Sequence, residues 1–401
     1  MIKNKLIRNE SLNLLIFSII DFLIFFPILS LTIFSRFSKK DYDVGLGPEP
    51  LINNIYHKKA LEKFGYRAQT FVSDVYHITN DFDIRSDLIF RFPFSFLKPY
   101  FLYIRAIFTY KCLYFYFHGG PLQRTSLLSK IEPRLYKLAK IKIVVMPYGS
   151  DIQDMARCPN PLFKNALSKD YPNIRHNREK ISKRIDLWTK NADHIISGAD
   201  WIDYLYHWDT LMLGHFSIDL NEIKRSAHSE RWNENNQTFK ILHAPNHPNI
   251  KGTPFLLKAI NELKEEGYPI ELRLLQGKSN KEILKAIEEV DLVADQFIIG
   301  WYAMFAIEAM ALEKPVLCFI RSDLEETFII LGLLEKGELP IISCKPYEIK
   351  SLIMRLYYER EKLLDIGRRS RLFVEKYHSL YFIGTQFNNI NRSLGIIPHN
   401  H

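Results

Sequence analysis

Beyond residue 41 the chain alternates short apolar runs with longer stretches in which apolar residues recur every three or four positions. Short runs bounded by Gly, Pro, Asn or Ser read as buried strands, and the longer stretches as amphipathic helices. The pattern predicts an α/β chain with parallel strands. Strands are expected at 44–46, 69–72, 112–117, 141–146 and 194–197, then at 240–244, 270–275, 296–299, 315–320 and 340–343. Helices fill the intervals, among them 253–266, 281–289 and 302–312. Polar loops follow several strands: GLGPEP after Val44, HGGP after Phe117, PYGSD after Met146 and HPNIKGT after Ala244. In doubly wound sheets ligands sit beyond the carboxyl ends of strands, where these loops fall. Residues 221–237 lack apolar periodicity and mark a boundary between two such halves. The expected organisation is an anchor at 1–41, one Rossmann-like domain at 42–220 and a second at 221–378. A segment at 379–401 can cross back to the first. Two consecutive doubly wound halves can clamp a ligand between them.

The first forty residues follow another rule. Residues 14–34 form a 21-residue apolar run, about 31 Å long as a helix and enough to span a bilayer. Lys3, Lys5 and Arg8 precede it, and Arg36, Lys39 and Lys40 follow. No small-residue cleavage site follows, which argues against a removable signal peptide. Asp21 and Pro27 interrupt the run, one costly in lipid and the other kinking the helix. The segment therefore either spans or lies in one leaflet, and in both cases it anchors. The tied flanking charges give no orientation.

Composition narrows the class. At 401 residues, 47% hydrophobic and 25% charged, the chain is globular and has room for two or three domains. With one long apolar run it is not a polytopic membrane protein. The net charge of +9 is unevenly placed, for residues 1–220 hold 30 Lys+Arg against 21 Asp+Glu and the rest cancel. A positive first half points to an anionic partner: a membrane surface, a phosphorylated lipid or nucleic acid. Cys112, Cys158, Cys318 and Cys344 are scattered without a CxxC, so neither a disulfide framework nor a zinc knuckle is expected, and a reducing compartment fits.

Two stretches carry chemistry. In 296–320 a strand enters a Gly loop, a helix begins near Tyr302, and Glu308 sits inside that helix among Ala306, Ile307, Ala309, Met310 and Ala311. A helix N-terminus offers free N–H groups to a phosphate, and a carboxylate two turns in can accept two hydrogen bonds from a diol. In 241–253 a strand runs into a polar loop and Lys251-Gly252 opens a helix, as a diphosphate site needs. His243 and His247 are four apart, but Pro245 and Pro248 break the helical spacing that would point both at one metal.

Together these motifs, in this order and about fifty residues apart, resemble the group-1 (family 4) glycosyltransferases of the GT-B fold. DVGLGPEP with the following KFGYRAQTFV resembles that family's opening Gly-rich loop and second strand, which gives Gly47 a place at the donor. VVMPYGSDI, ADHIISGADW and LGHFSID resemble its later elements, so the similarity covers roughly residues 42–375. It implies two Rossmann-like domains facing a cleft. It also implies a nucleotide-diphosphate sugar as co-substrate, with no further cofactor, no metal and a retaining outcome. Lys251 then holds the donor diphosphate, and Glu308, the second acid of an E-x7-E pair, holds the ribose. The first acid is replaced by Gly300, so Trp301, Tyr302, Asp295 or backbone N–H groups from Trp301 to Ala303 contact the sugar instead. The basic residue usually before the Lys is also absent, leaving Asn246 or His247 in its place. His118, ending a strand before Gly119, corresponds to a His that lines the cleft near the reacting sugar. Tyr148, Gly149, Ser150 and Asp151 line the same cleft, toward acceptor or donor.

Other signals are weaker. Asp81-Phe82-Asp83 is a DxD triplet without an adjoining Gly loop and reads as a solvated turn. Residues 90–117 hold 13 aromatics interleaved with Arg91, Lys98, Arg105 and Lys111. Such a surface binds nucleic acid or lipid, and beside an anchor the lipid reading wins, with Lys98, Arg105 and Lys111 facing the membrane. The expected activity is sugar transfer to a membrane-linked or glycan acceptor in cell-surface polysaccharide or glycolipid synthesis, at the cytoplasmic face and without nucleic acid. The alternatives are an epimerase or hydrolase of the same fold, or a catalytically weak nucleotide-sugar-binding component of a glycan-assembly complex.

Overall fold

The structure, a computed structural model, describes residues 2–75, 79–91, 93–223 and 238–398. Most of the expected boundary at 221–237 lies outside the described residues, as does Phe92 in the aromatic stretch. The strands form two separate, wholly parallel sheets. The first contains β1 (Tyr42–Leu46), β2 (Ala68–Val72), β3 (Ile84–Arg85), β4 (Tyr110–Tyr116), β5 (Lys142–Met146), β6 (His194–Gly198) and β7 (Thr210–Met212), in the order β3-β2-β1-β4-β5-β6-β7. The second contains β8 (Phe239–His243), β9 (Ile270–Leu274), β10 (Leu292–Ala294), β11 (Val316–Cys318) and β12 (Ile342–Ser343), in the order β12-β11-β10-β8-β9.

Each order reverses once, between β1 and β4 in the first sheet and between β8 and β10 in the second. Chain leaving the two strands at such a reversal diverges to opposite faces and opens a crevice. Gly47 and His118 follow β1 and β4. Lys251 and Asp295 follow β8 and β10. The topology thus places the candidate residues of both halves at switch points.

One predicted strand is displaced. The run from Leu292 to Ile299 holds two apolar patches split by Asp295 and Gln296, and the first patch is the strand while 296–299 leaves the sheet. There the Phe297 N–H donates to the Lys251 carbonyl at 3.1 Å, and the Gln296 carbonyl accepts from Phe319 N–H at 2.8 Å. The following helix spans Met304–Ala311 rather than beginning at Tyr302.

At the other ends of the strands, one side chain recurs. Asp43, Asp193, Asp209 and Asp291 accept the backbone N–H of Arg67, Ile143, Ile195 and Lys240, at 2.9, 2.9, 2.7 and 2.7 Å. Each satisfies a donor at a strand edge that the ladder leaves over.

The helix Leu380–Ser393 packs on Ile52–Glu62 of the first half. A Cβ on Gly384 would fall 2.7 Å from the Ala60 carbonyl, so only Gly admits this approach. Asn391 accepts from the Tyr114 hydroxyl of β4 at 2.9 Å. The helix Ile2–Ser35 lies against the outside of helices Lys98–Thr109 and Leu128–Ala139.

The expected membrane-facing cations are engaged within the first half. Lys98 pairs with Asp74 at 2.7 Å, Arg105 donates to Gln69 at 2.9 Å, and Lys111 pairs with buried Asp43 at 2.6 Å. Most of the aromatic stretch is core, with Tyr103, Tyr110, Tyr114, Phe115, Tyr116 and Phe117 buried. Lys98 and Arg105 stand on helix Lys98–Thr109 and Lys111 on β4, where an acceptor on a neighbouring segment of the same half reaches each one.

Candidate nucleotide-sugar cleft

On the second half, β8 runs into a polar loop and one helical turn, Pro248–Lys251. Gly252 then adopts φ +77°, and a Cβ there would meet Phe297 and Ile298 at 3.0 and 3.2 Å. The Gly lets the chain turn sharply into helix Thr253–Glu265 while Lys251 stays at the switch point. Its Nζ lies 2.8 Å from Oδ1 of fully buried Asp295. The other oxygen of Asp295 accepts the Ala303 N–H at 3.4 Å, at the entrance to helix Met304–Ala311. One carboxylate therefore fixes both the lysine and the helix start that a diphosphate would meet.

Glu308 lies on that helix, 4% exposed, and its Oε1 accepts from Asn280 Nδ2 at 2.6 Å. Burial pushes its carboxyl up to about 7. It borders a cavity of about 160 Å³ lined also by Ala244, Asn246, Leu275, Gln276, Gly277, Asn280, Met304 and Phe305, with Ile52 of the first half closing it. His243 is structural, buried between the Ala294 carbonyl and the Thr253 hydroxyl, and its burial lowers its pKa to about 4. Asn246 is exposed at the cavity, whereas His247 turns away to the Tyr171 hydroxyl at 2.8 Å.

Gly300 explains why no acid stands at the first position of the expected pair. Its φ is +101°, and a Cβ would lie 2.5 Å from Arg321 Cγ. Arg321 fills that space and pairs across the halves with Asp203. The expected sugar contacts from Trp301 and Tyr302 are corrected by their burial, at 1% and 2% exposure. Trp301 Nε1 donates to the Leu213 carbonyl at 3.0 Å, and the Tyr302 hydroxyl lies 2.9 Å from His378 Nε2. His378 in turn holds the Phe216 carbonyl and accepts Ile218 N–H on its own carbonyl at 2.9 Å. The two side chains knit together the segments that cross between the halves.

On the first half, His118 Nδ1 lies 2.8 Å from the Tyr148 hydroxyl and 3.3 Å from Glu49 Oε1. Gln123 donates to the same Glu49 oxygen at 2.9 Å. Burial opposes ionisation of Glu49, but hydrogen bonds from His118 and Gln123 and the charges of His118 and Arg124 hold its carboxyl below the ordinary value. Gly47 is buried, and a Cβ on it would strike the Phe71 carbonyl. Gly149 has φ +128°, and Ser150 is exposed. Asp151 does not line the cleft. It is buried and accepts N–H groups from Phe117, Tyr148 and Gly149 at 3.0, 3.0 and 2.9 Å, tying the ends of β4 and β5 together.

The structure thus brings Glu308 and Asn246 to one cavity, ties Lys251 and the Ala303 N–H to Asp295, and joins His118 to Tyr148 and Glu49 on the first half. Sequence reasoning missed Glu49, although it sits in the GLGPEP loop marked above, and Asn280, which opens the helix Asn280–Glu288 in a stretch that carried no functional signal. Arg184 had no signal. It lies on helix Arg178–Thr189, half-buried near Tyr148 and Glu49, with its pKa lowered by burial and no ion pair among the described residues. Asp83 of the DxD triplet is held by Lys58 and Thr70.

Solved structures share this architecture. The sucrose-phosphate synthase of Thermosynechococcus elongatus superposes with a TM-score of 0.58 at 14% identity, over 89% of this chain and 99% of that one. The chain has the GT-B fold. Anabaena HepE in complex with UDP-glucose gives 0.54 at 14% identity, over 87% and 99% of the two chains. An α-glucosyltransferase in complex with UDP and a mismatched 13-mer DNA gives 0.54 at 12%, over 88% and 99%. No family model and no curated protein sequence matches this chain. At these identities the likeness is one of fold.

Proposed function

We propose that this protein is a glycosyltransferase that moves a sugar from a nucleotide-diphosphate donor to a membrane-linked glycan or lipid acceptor at the cytoplasmic face of a membrane. The observation that carries the reading is the pairing of Lys251 and the Ala303 N–H on one carboxylate, Asp295, at the start of the same helix whose Glu308 borders the cavity beside the second switch point. Glu308 would hold the ribose hydroxyls and Asn246 the neighbouring edge. Lys251 and the helix N-terminus would carry the negative charge that develops on the departing diphosphate. His118, aligned by Glu49 and Tyr148, would face the reacting sugar from the opposite wall. The leaving group would then be served without a metal, and the outcome would be retention, as the resemblance implies. No cofactor beyond the co-substrate enters this reading.

HepE and the α-glucosyltransferase are seen with UDP-glucose and UDP, so UDP-sugars lead the panel to be tested. The experiment is nucleotide release from a panel of sugar donors with a lipid-linked acceptor, beside calorimetric nucleotide affinity. Tight nucleotide binding without release from any donor would instead favour the binding-component reading, to which Gly300 in place of an acid lends support.

A further inference from the structure

The helix Ile2–Ser35 has two unlike sides. Asp21, Ile28, Thr32 and Ser35 recur at intervals of seven, four and three residues, which sets them on one stripe at 100° per residue, and all four are buried. The polar members are satisfied by the protein. Asp21 accepts from the Tyr100 hydroxyl at 2.7 Å and from the N–H groups of Leu127 and Leu128 at 2.6 and 3.1 Å, at the start of helix Leu128–Ala139. Ser18 reaches Ser126 at 2.8 Å, and Thr32 reaches Tyr103 at 2.8 Å. The opposite side carries Leu15, Ile19, Phe22, Leu23, Phe26 and Phe34, all exposed, with Phe22 and Phe26 about three-quarters bare. Polar residues face the protein and hydrocarbon faces out, the reverse of a soluble surface helix.

We infer that this outer face lies in one leaflet of an anionic bilayer, with the helix parallel to the membrane plane and not crossing it. The docked stretch from Ser18 to Ser35 is about 26 Å long, nearly the thickness of the hydrocarbon core. A helix held along that length cannot thread the bilayer without drawing its neighbour in with it. That neighbour exposes Lys130, Arg134 and Lys137, each costing about 2.5–3.5 kcal/mol at the bilayer centre. Laid flat, the same side chains sit at the headgroups with Lys140, Arg36 and Lys39. None of these six cations has an acidic partner among the described residues, and anionic lipid supplies one. Apolar insertion beside a polybasic flank is the two-signal combination that gives stable attachment. The inference deepens the membrane reading above and stands apart from the catalytic one.

Removing the helix would uncap Leu128–Ala139, so the test keeps the full chain and changes only the outer face. The triple variant Phe22→Ser, Phe26→Ser, Phe34→Ser should bind vesicles of phosphatidylcholine and phosphatidylglycerol at least a hundredfold more weakly than the parent. Its melting temperature and nucleotide affinity should be unchanged, and the corresponding triple Leu variant should bind as the parent does. Triple-Ser binding equal to the parent's overturns the inference. Depth measurements with a label on Cys placed at Leu15, Phe22, Phe26 and Phe34 in turn separate the geometries. Equal shallow depths are expected. A profile deepest at Phe26, with the ends rising to opposite headgroups, would mean a spanning helix and overturn it. So would failure to insert accompanied by dimers in light scattering, which would assign the face to a second copy. Nucleotide affinity in the same preparation reports on the donor site independently.

Discussion

In the first half the cleft loops are pinned from behind. Asp151 gathers three N–H groups from the ends of β4 and β5, and buried Glu132 accepts from Leu122 N–H and the Tyr136 hydroxyl beneath the HGGP loop. Neither carboxylate reaches the cleft, and His118 and Tyr148 stand in front of them. In the second half the pin is part of the proposed site, since Asp295 holds Lys251 itself together with the Ala303 N–H. The lesson concerns what can be altered separately. Scaffold and ligand contacts are different residues on the first wall and shared residues on the second. The first can be retuned toward a new partner at little cost in stability, and the second cannot.

The largest effect expected from this contrast is on Asp151. Asp151→Ala leaves the buried N–H groups of Phe117 and Gly149 and the part-buried one of Tyr148 without their acceptor, at about 1–3 kcal/mol for each buried group, and thermal denaturation should show a loss of at least about 2 kcal/mol. Next comes Lys251→Met, which should weaken nucleotide binding roughly tenfold to a hundredfold, for a charge-assisted contact of about 1.5–3 kcal/mol. It should also lower the melting temperature, because Asp295 is left buried and unpaired. His118→Ala is the counterpart on the other wall and should abolish transfer while changing neither nucleotide affinity nor stability. A fall in nucleotide affinity there, by calorimetry, would erase the distinction between the walls.

A smaller effect separates Glu308 from its surroundings. Burial raises its carboxyl to about 7, so below that pH it is neutral and accepts hydrogen bonds less strongly. Nucleotide affinity should therefore fall as the pH drops through about 7, and Glu308→Gln should flatten that profile at a lower affinity. The smallest effect is none at all. EDTA should leave transfer unchanged, and loss of activity restored by manganese or magnesium would give the diphosphate a partner other than Lys251.

Legibility in the sequence followed the same division. More of the second wall was readable because Lys251 and Glu308 lie in two unbroken stretches, ILHAPNHPNIKGT running from strand through turn to helix and IEAMALEKPV from helix through turn to strand, whereas Asn280 stands apart from both. The first wall is assembled from single residues on four separate segments, Glu49, His118, Tyr148 and Arg184, and nothing local joins them. The alternation of runs found five of the first sheet's seven strands but not the short edge strands β3 and β7, and it could not choose between 292–294 and 296–299, because periodicity cannot say which apolar patch finds a neighbour. Trp301 and Tyr302 were misread for a related reason. Aromatics next to a Gly loop look like sugar contacts, and only the path of residues 213–218 and 378–379 shows that their polar atoms are spent on the Leu213 carbonyl and His378. Asp21 looked like a defect in a membrane span until the start of helix Leu128–Ala139 supplied its partners.

The position of helix Leu380–Ser393 bears on how the chain is made. One face of the first sheet is closed by this helix, which is synthesised only after the entire second half. At the ribosome, residues 42–212 therefore wait with helix Ile52–Glu62 uncovered and the Tyr114 hydroxyl unpartnered while almost two hundred further residues emerge. The bare face of the first helix emerges even earlier. A nascent chain in that state exposes apolar surface at two places, one that lipid can cover at once and one that only the chain's own later segment can, so early contact with the membrane would shelter half of the hazard while the other half persists until helix Leu380–Ser393 emerges.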